Sequence, residues 1–367
     1  MHLPAASPGT RRSLRVLRWR GRGGRPKAYI QAAVHADEVP ALLVAHHLEI
    51  ALDALDARGG LLGEVVLAPY ANPIGLNQFL LGAHQGRFEQ DTGRNFNRGY
   101  PDVAQRVGDR AARRLGADAA ANVALIRDTL RAELRAVEAP DENAALKLEL
   151  FRRSCDADIV LDLHCDFEAL LHLYVAESLW PGARDLAAAL GARMTLLADD
   201  SGGAAFDEAN SGPWLALAQR FPQFPIPPAC LAATVELRGE RDVDDRQAAA
   251  DAARIVRFLA GRGVVRGRGP GRAAAPATPL EAVDVVVAPA GGVLTWKRPL
   301  GARVRKGETI GEIVVPGQRR RAPVVARTAG LLFARRGSRW VRPGQMVAKV
   351  AGRERLPWRK RGALLFD

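Results

Sequence analysis

The chain has 367 residues, 48% of them hydrophobic, and a formal net charge of +13. That length asks for two domains or one large domain with an appendage, and the composition excludes wholesale disorder. Only six of the 53 basic residues are lysines and 47 are arginines, a bias that reflects coding better than selection for polyanions.

Residues 14–19 and 28–34 alternate or run apolar, as strands do. Residues 40–52 read as a helix with Pro40 in its first turn, where a missing N–H costs nothing. A strand over 64–70 ends in the turn signal Asn72-Pro73. Residues 102–151, rich in Ala, Arg, Leu and Glu, suit one or more long helices. The apolar run 158–164 fits a buried parallel strand, and 232–237 is another, followed by a helix over 245–259. Strands alternating with helices predict an α/β fold with a mixed, mostly parallel sheet flanked by helices.

Composition changes at 261–278, which is Gly, Arg, Ala and Pro without apolar periodicity and reads as a linker. Beyond it, short Val-rich strands are separated by glycines. A weak internal repeat pairs Ala288-Pro-Ala-Gly-Gly-Val-Leu294 and Val304-Arg-Lys-Gly307 with Ala326-Arg-Thr-Ala-Gly-Leu-Leu332 and Val341-Arg-Pro-Gly344. Two copies of strand–turn–strand predict a small all-β barrel or sandwich with pseudo-twofold symmetry. The pattern resembles the biotinyl/lipoyl-type barrel. Carrier versions of that fold present a modified Lys between the halves. The matching stretch here, Pro316-Gly-Gln-Arg-Arg-Arg-Ala-Pro323, has none, so a structural or lid role is expected.

Three cysteines, Cys155, Cys165 and Cys230, cannot form a disulfide framework and fit a reducing compartment. No apolar run approaches a membrane span, and no apolar segment in the Arg-rich N-terminus makes a secretory signal. The expectation is a cytoplasmic protein with no membrane and no specific nucleic-acid partner. A homo-oligomer is left open.

Four segments carry chemistry. In Val34-His-Ala-Asp-Glu38, His35 and Glu38 have the spacing H-x-x-E on a turn leaving a strand. Imidazole and carboxylate are ordinary zinc ligands, and a catalytic zinc takes three protein ligands with one position open. His164, in Leu161-Asp-Leu-His-Cys165, falls at the end of a buried strand, at the carboxyl edge where open α/β sheets place ligands. Asp162 could accept its ring N–H, and Cys165 should face away and pack. Glu236, inside the apolar strand of Ala233-Thr-Val-Glu-Leu-Arg-Gly239, is costly to bury unless paired or functional, and near a zinc site it suits a general base. In Gly93-Arg-Asn-Phe-Asn-Arg-Gly-Tyr-Pro101, Asn97 and Arg98 suit recognition of a carboxylate.

Taken in chain order, the four segments resemble the succinylglutamate desuccinylase/aspartoacylase family of the zinc carboxypeptidase-like superfamily, over about residues 14–259. The resemblance implies one Zn2+ per chain on His35, Glu38 and His164. It implies Glu236 as general base, Asn97 and Arg98 on a substrate carboxylate, and an Arg for the oxyanion, Arg87 with Arg94 as rival. The implied activity is hydrolysis of the amide of an N-acyl amino acid. A metallocarboxypeptidase acting on short peptides and a non-catalytic basic binding protein are the alternatives. Two departures stand out. Ala36-Asp37 replaces the family's Gly-Asn before the metal Glu, and Arg238 is inserted before Gly239. The implied division is a catalytic domain over 1–260, a linker over 261–278, a β domain over 279–353 and a tail over 354–367.

Overall fold

A computed structural model describes residues 1–271 and 276–365. Eight strands form the main sheet: β1 (Leu17–Arg20), β2 (Lys27–Ala32), β3 (Glu64–Ala68), β4 (Ile159–Asp166), β5 (His172–Val175), β6 (Met194–Leu197), β7 (Leu231–Gly239) and β8 (Ala277–Pro279). Their order is β1-β3-β2-β4-β7-β5-β6-β8. Five of the seven pairings are parallel; β1–β3 and β7–β5 are antiparallel. The sheet is thus mixed and mostly parallel, as the alternation of elements predicted.

Helices cover both faces, so the central strands are buried on both sides and read as continuous apolar runs. One face packs against α1 (Pro40–Ala57), α5 (Trp180–Leu190) and α7 (Asp245–Gly261), with Leu48, Leu186 and Phe258 at its centre. The other packs against α2 (Ala104–Ala111), α3 (Ala119–Ala136), α4 (Glu142–Ser154) and α6 (Phe206–Arg220), with Leu130, Phe151 and Trp214. The helical stretch 102–151 divides into three because Asp118 and Asp141 cap new helices, their side chains accepting from Ala120, Ala121 and Ala144 N–H groups. The strands β5, β6 and β8 and the helices α5 and α6 were not anticipated from the sequence.

Part of the stretch read as a linker is docked. Val264 and Val265 are buried, Val264 C=O accepts from the Leu62 and Gly63 N–H groups, and Ala277–Pro279 adds the edge strand β8. Residues 272–275 of that stretch, and residues 366–367 of the expected tail, lie outside the described residues.

The C-terminal region is all-β, built from two antiparallel sheets. In one, Gly292–Trp296 pairs with Thr309–Val315 and with Trp340–Val341. In the other, Gly330–Arg335 pairs with Met346–Ala351 and with Arg303–Val304. Each half of the repeat therefore lends its short strand to the other half's sheet. The registers match, Gly292 opposite Val341 and Gly330 opposite Val304, which is the symmetry the repeat predicted. The Lys-free stretch 316–319 is the turn between Thr309–Val315 and Arg320–Val325.

This β region is joined to the first by more than chain continuity. Glu168–Ala169, just past β4, pairs antiparallel with Ala334–Arg335. Glu168 also holds Arg335 at 2.5 Å and Arg339 at 2.8 Å. An apolar cluster of Met194, Leu196, Leu280, Leu331, Phe333 and Leu364 fills the joint. Phe333→Ala should cost about 3–5 kcal/mol, the usual result of emptying a buried aromatic site. Denaturant titration checks it, and a loss under about 1 kcal/mol would show that the joint does not depend on this ring.

Candidate metal centre and active-site cavity

The central trio β2, β4 and β7 runs in parallel, so their carboxyl ends leave the sheet along one edge. Just beyond β2 the backbone turns through Ala33, at φ +56°, and the Glu38 N–H closes the turn on the His35 C=O at 3.2 Å. That turn presents His35 and Glu38 together. His164 is the sixth residue of β4, and Glu236 lies opposite it on β7.

The Glu38 carboxylate sits between two imidazoles. Its Oε1 is 2.9 Å from His35 Nδ1, and its Oε2 is 2.7 Å from His164 Nδ1. The Cys165 backbone N–H also donates to Oε2, at 3.0 Å. The far nitrogens are held from behind. His35 Nε2 lies 2.8 Å from Asn95 Oδ1, and His164 Nε2 lies 2.9 Å from Asp162 Oδ2. A ring that donates Nε2–H to such a partner keeps its Nδ1 lone pair for a cation. All three side chains are buried, and their ligand atoms lie within 4.8 Å of one another. Two imidazole nitrogens and one carboxylate fit zinc.

Electrostatics follow from burial. Burial opposes charge on Glu38, yet His164 and His35 outweigh it and hold its carboxyl well below the usual range. Burial opposes charge on His164 too, but Asp162 and Glu38 raise it well above the ordinary imidazole value. His35 is lowered, by burial and then by Arg87. Glu236 is pushed up to about 8, by burial and then by the charge of Glu38. Its Oε2 is buried and has no hydrogen-bond partner among the described residues.

The inserted Arg238 is absorbed without disturbing that register. Glu236 pairs with His164 and Gly239 with Asp166, so three steps on β7 meet two on β4, a bulge. Arg238 takes the left-handed conformation, at φ +73°, and turns its side chain to Asp251.

These residues line a cavity of about 820 Å3, together with Arg87, Asn97, Arg98 and residues of the β region. Arg87 Nη1 is 3.2 Å from Glu38 Oε1. Its rival Arg94 is bound to Glu89 and Asp141 and is not among the cavity's lining residues. Asn97 has its Oδ1 on the Phe206 N–H at 3.0 Å and its Nδ2 3.4 Å from Asp162. Arg98 donates to the Asn97 C=O at 2.8 Å.

Sequence reading gave no role to several groups found here. Lys147 Nζ holds the Asn95–Arg98 loop through the carbonyls of Asn95, at 2.9 Å, and Arg98, at 2.8 Å. Lys349, in the β region, reaches Asp166 at 2.5 Å. Scarcity was an available signal, since these are two of only six lysines in the chain. Cys165, expected to pack, also contributes its backbone N–H. Removing the support behind His164 should loosen a metal held by this cluster without abolishing its binding. Asp162→Ala is expected to weaken zinc binding about 10–100-fold, measured by chelator competition; unchanged affinity would contradict the support role.

Residues 25–262 match the model of the succinylglutamate desuccinylase/aspartoacylase catalytic domain. Among solved structures, a protein described as of that family from Shewanella amazonensis is 28% identical, with a TM-score of 0.84 over 96% of this chain and 97% of the other. One from Shewanella frigidimarina is 24% identical, with a TM-score of 0.84 over 96% of both chains. The ectoine utilization protein EutE (DoeB) from Ruegeria pomeroyi shares the fold at 16% identity, with a TM-score of 0.68 over 96% of this chain and 94% of the other. No curated protein matches the chain. With nearly two thirds of its length matched by the family model, the chain belongs to the succinylglutamate desuccinylase/aspartoacylase family.

Proposed function

We propose that this protein is a zinc-dependent deacylase that hydrolyses the amide of an N-acyl amino acid or a related small carboxylate-bearing amide. One observation carries the reading. Glu236, a partly buried carboxyl whose buried Oε2 has no hydrogen-bond partner among the described residues, stands in register with His164 and lines the same cavity as His35 and Glu38. A buried carboxyl oxygen without a partner needs a nearby charge or a proton to justify it.

One zinc held by His35, Glu38 and His164 would supply Lewis acidity, polarising the scissile carbonyl and acidifying water. The chain's own residues do the rest. Glu236 takes the proton of the attacking water and returns it to the departing amine. Burial and Glu38 hold its pKa up at about 8, and added positive charge lowers it. A carboxyl tuned in that range can accept and return a proton near neutral pH. Arg87 stabilises the charge that develops on the carbonyl oxygen. Arg98 anchors the substrate carboxylate, which positions the amide before reaction. Asn97 shares that anchor, with part of its amide already engaged by Phe206 and Asp162.

The β region supports a small amide over a long peptide, because Val285, Val287, Met346 and Lys349 wall the cavity. The three cysteines are free and no described helix is long and apolar enough to cross a membrane, which supports a cytoplasmic setting.

Glu236→Gln should keep near-stoichiometric zinc and lose about 10²–10⁴-fold in turnover, the worth of a general base, while His35→Ala should lose both metal and activity. Metal analysis beside an assay on N-acetyl, N-succinyl and N-formyl amino acids decides this, and full activity in either variant sinks the assignment. Arg87→Ala should cost about 10²–10³ in kcat. Arg94→Ala, outside the cavity, should keep its rate, and the reverse order would make Arg94 the oxyanion residue.

A further inference from the structure

The cavity is larger than hydrolysis of a small acyl amino acid requires. Cavities of about 300–1,000 Å3 hold drug-sized ligands, and at about 820 Å3 this one lies in the upper part of that range. Part of its wall is apolar: Val287, Met346 and Leu365 keep exposed surface there, backed by the buried Leu280, Val285 and Leu364, and acidic residues such as Asp207 and Glu208 share the lining. Cations share that wall, but three are already engaged. Arg327 is held by Asp284 at 2.6 Å, Lys349 by Asp166 at 2.5 Å, and Arg359 donates to the Leu364 C=O at 2.5 Å. Arg336 differs, stacking over the Phe167 ring at 4.9 Å with its buried Nε without a hydrogen-bond partner among the described residues.

Two of the apolar residues belong to a C-terminal strap over residues 356–365. It is fastened along its length. The Leu356 N–H donates to the Glu281 C=O at 2.9 Å, and Trp358 lies beneath the Arg327 guanidinium at 5.0 Å. The Gly362 N–H donates to the Asp200 C=O at 3.3 Å, and the Leu364 and Leu365 N–H groups converge on the Ser201 C=O at 2.8 and 3.2 Å. Leu364 is 1% exposed. The loop beneath is shaped for this contact. Gly202 has φ +98°, and a Cβ there would stand 2.4 Å from the Gly362 C=O. Its neighbour Gly203 lies against Arg98, where a Cβ would come within 2.5 Å of Cδ, and its C=O accepts from the Gly99 N–H at 2.8 Å. The strap, the loop over 200–204 and the carboxylate-anchoring Arg98 are therefore one packed unit.

We propose that the strap and the β region wall an apolar compartment that selects substrates carrying an extended apolar substituent. The shared chemistry is hydrocarbon, either a medium-length acyl chain or an apolar amino-acid side chain. The proposal rests on the deacylase reading and names the substrate class for it.

The test uses the full-length zinc-loaded enzyme and compares kcat/KM across four probes. N-Acetylaspartate and N-succinylglutamate are small polyanions without an extended apolar substituent. N-Octanoylaspartate carries the hydrocarbon on the acyl side, and N-acetylphenylalanine on the amino-acid side. Each buried methylene is worth about fourfold, so one apolar probe should exceed N-acetylaspartate and N-succinylglutamate by at least 30-fold, and which one does so identifies the side. Leu365→Trp fills the compartment and Leu365→Glu charges it. Each should lower the ratio of kcat/KM for the apolar probe to that for N-acetylaspartate at least tenfold, mainly through KM, with thermal melts reporting that the variants are folded. Equal rates on all four probes, preference for N-succinylglutamate, or unchanged ratios in both folded variants would overturn the compartment. Calorimetric binding to Glu236→Gln separates the two ideas: tight binding of the apolar probe with no amide turned over by the wild type keeps the compartment and defeats the deacylase reading.

Discussion

The Glu38 carboxylate between two imidazoles is the interaction on which the rest of the structure depends. Its partners come from different strands, His35 from the turn after β2 and His164 from β4, and meet at a buried point. Like-positioned groups in water would gain little. In a low-dielectric interior the same groups are strongly coupled, which is why one carboxyl is held far below its usual range and one imidazole far above. Such a cluster is tolerable only when its outer atoms are also satisfied. Asn95, Asp162 and the Cys165 N–H do this, and Lys147 secures the loop that supplies Asn95.

Parallel pairing of β2, β4 and β7 delivers these groups to one edge, and register decides which residues arrive there. A one-residue slip of β7 would move Glu236 to the opposite face. The inserted Arg238 threatens that slip, and the bulge confines it to the residues after Glu236. The anomaly in the motif thus leaves the edge that carries His164 and Glu236 in register and instead gives α7 an ion pair through Asp251.

The β region is part of the site rather than an appendage. Its sheet is extended by Glu168–Ala169, two residues past the end of β4, and its Lys349 pairs with Asp166 at that same end. The strand that carries His164 is therefore continuous, through paired backbone, with the wall of the cavity. An apolar joint centred on Phe333 keeps that wall fixed.

The elements legible in the sequence were those with local signatures. The central strands appeared as apolar runs because both of their faces are covered, and the β repeat appeared because its glycines recur at matching turns. His35, Glu38, His164 and Glu236 stood out because polar residues at strand ends or inside apolar strands are costly without a purpose. The edge strands β5, β6 and β8 lacked such a pattern, and residues 264–265, which read as linker, are buried by contacts to 62–63 that no local window contains. The choice between Arg87 and Arg94 was likewise undecidable from spacing, since it depends on which guanidinium already has carboxylate partners outside the cavity. By itself the sequence determined the layered α/β architecture, the duplicated β unit and the four polar residues His35, Glu38, His164 and Glu236 at the sheet's edge, all of which follow from periodicity and from the cost of burial. Only the tertiary structure decided which nitrogens face Glu38, how Arg238 is accommodated and what walls the cavity, because each depends on register and on contacts between segments more than a hundred residues apart.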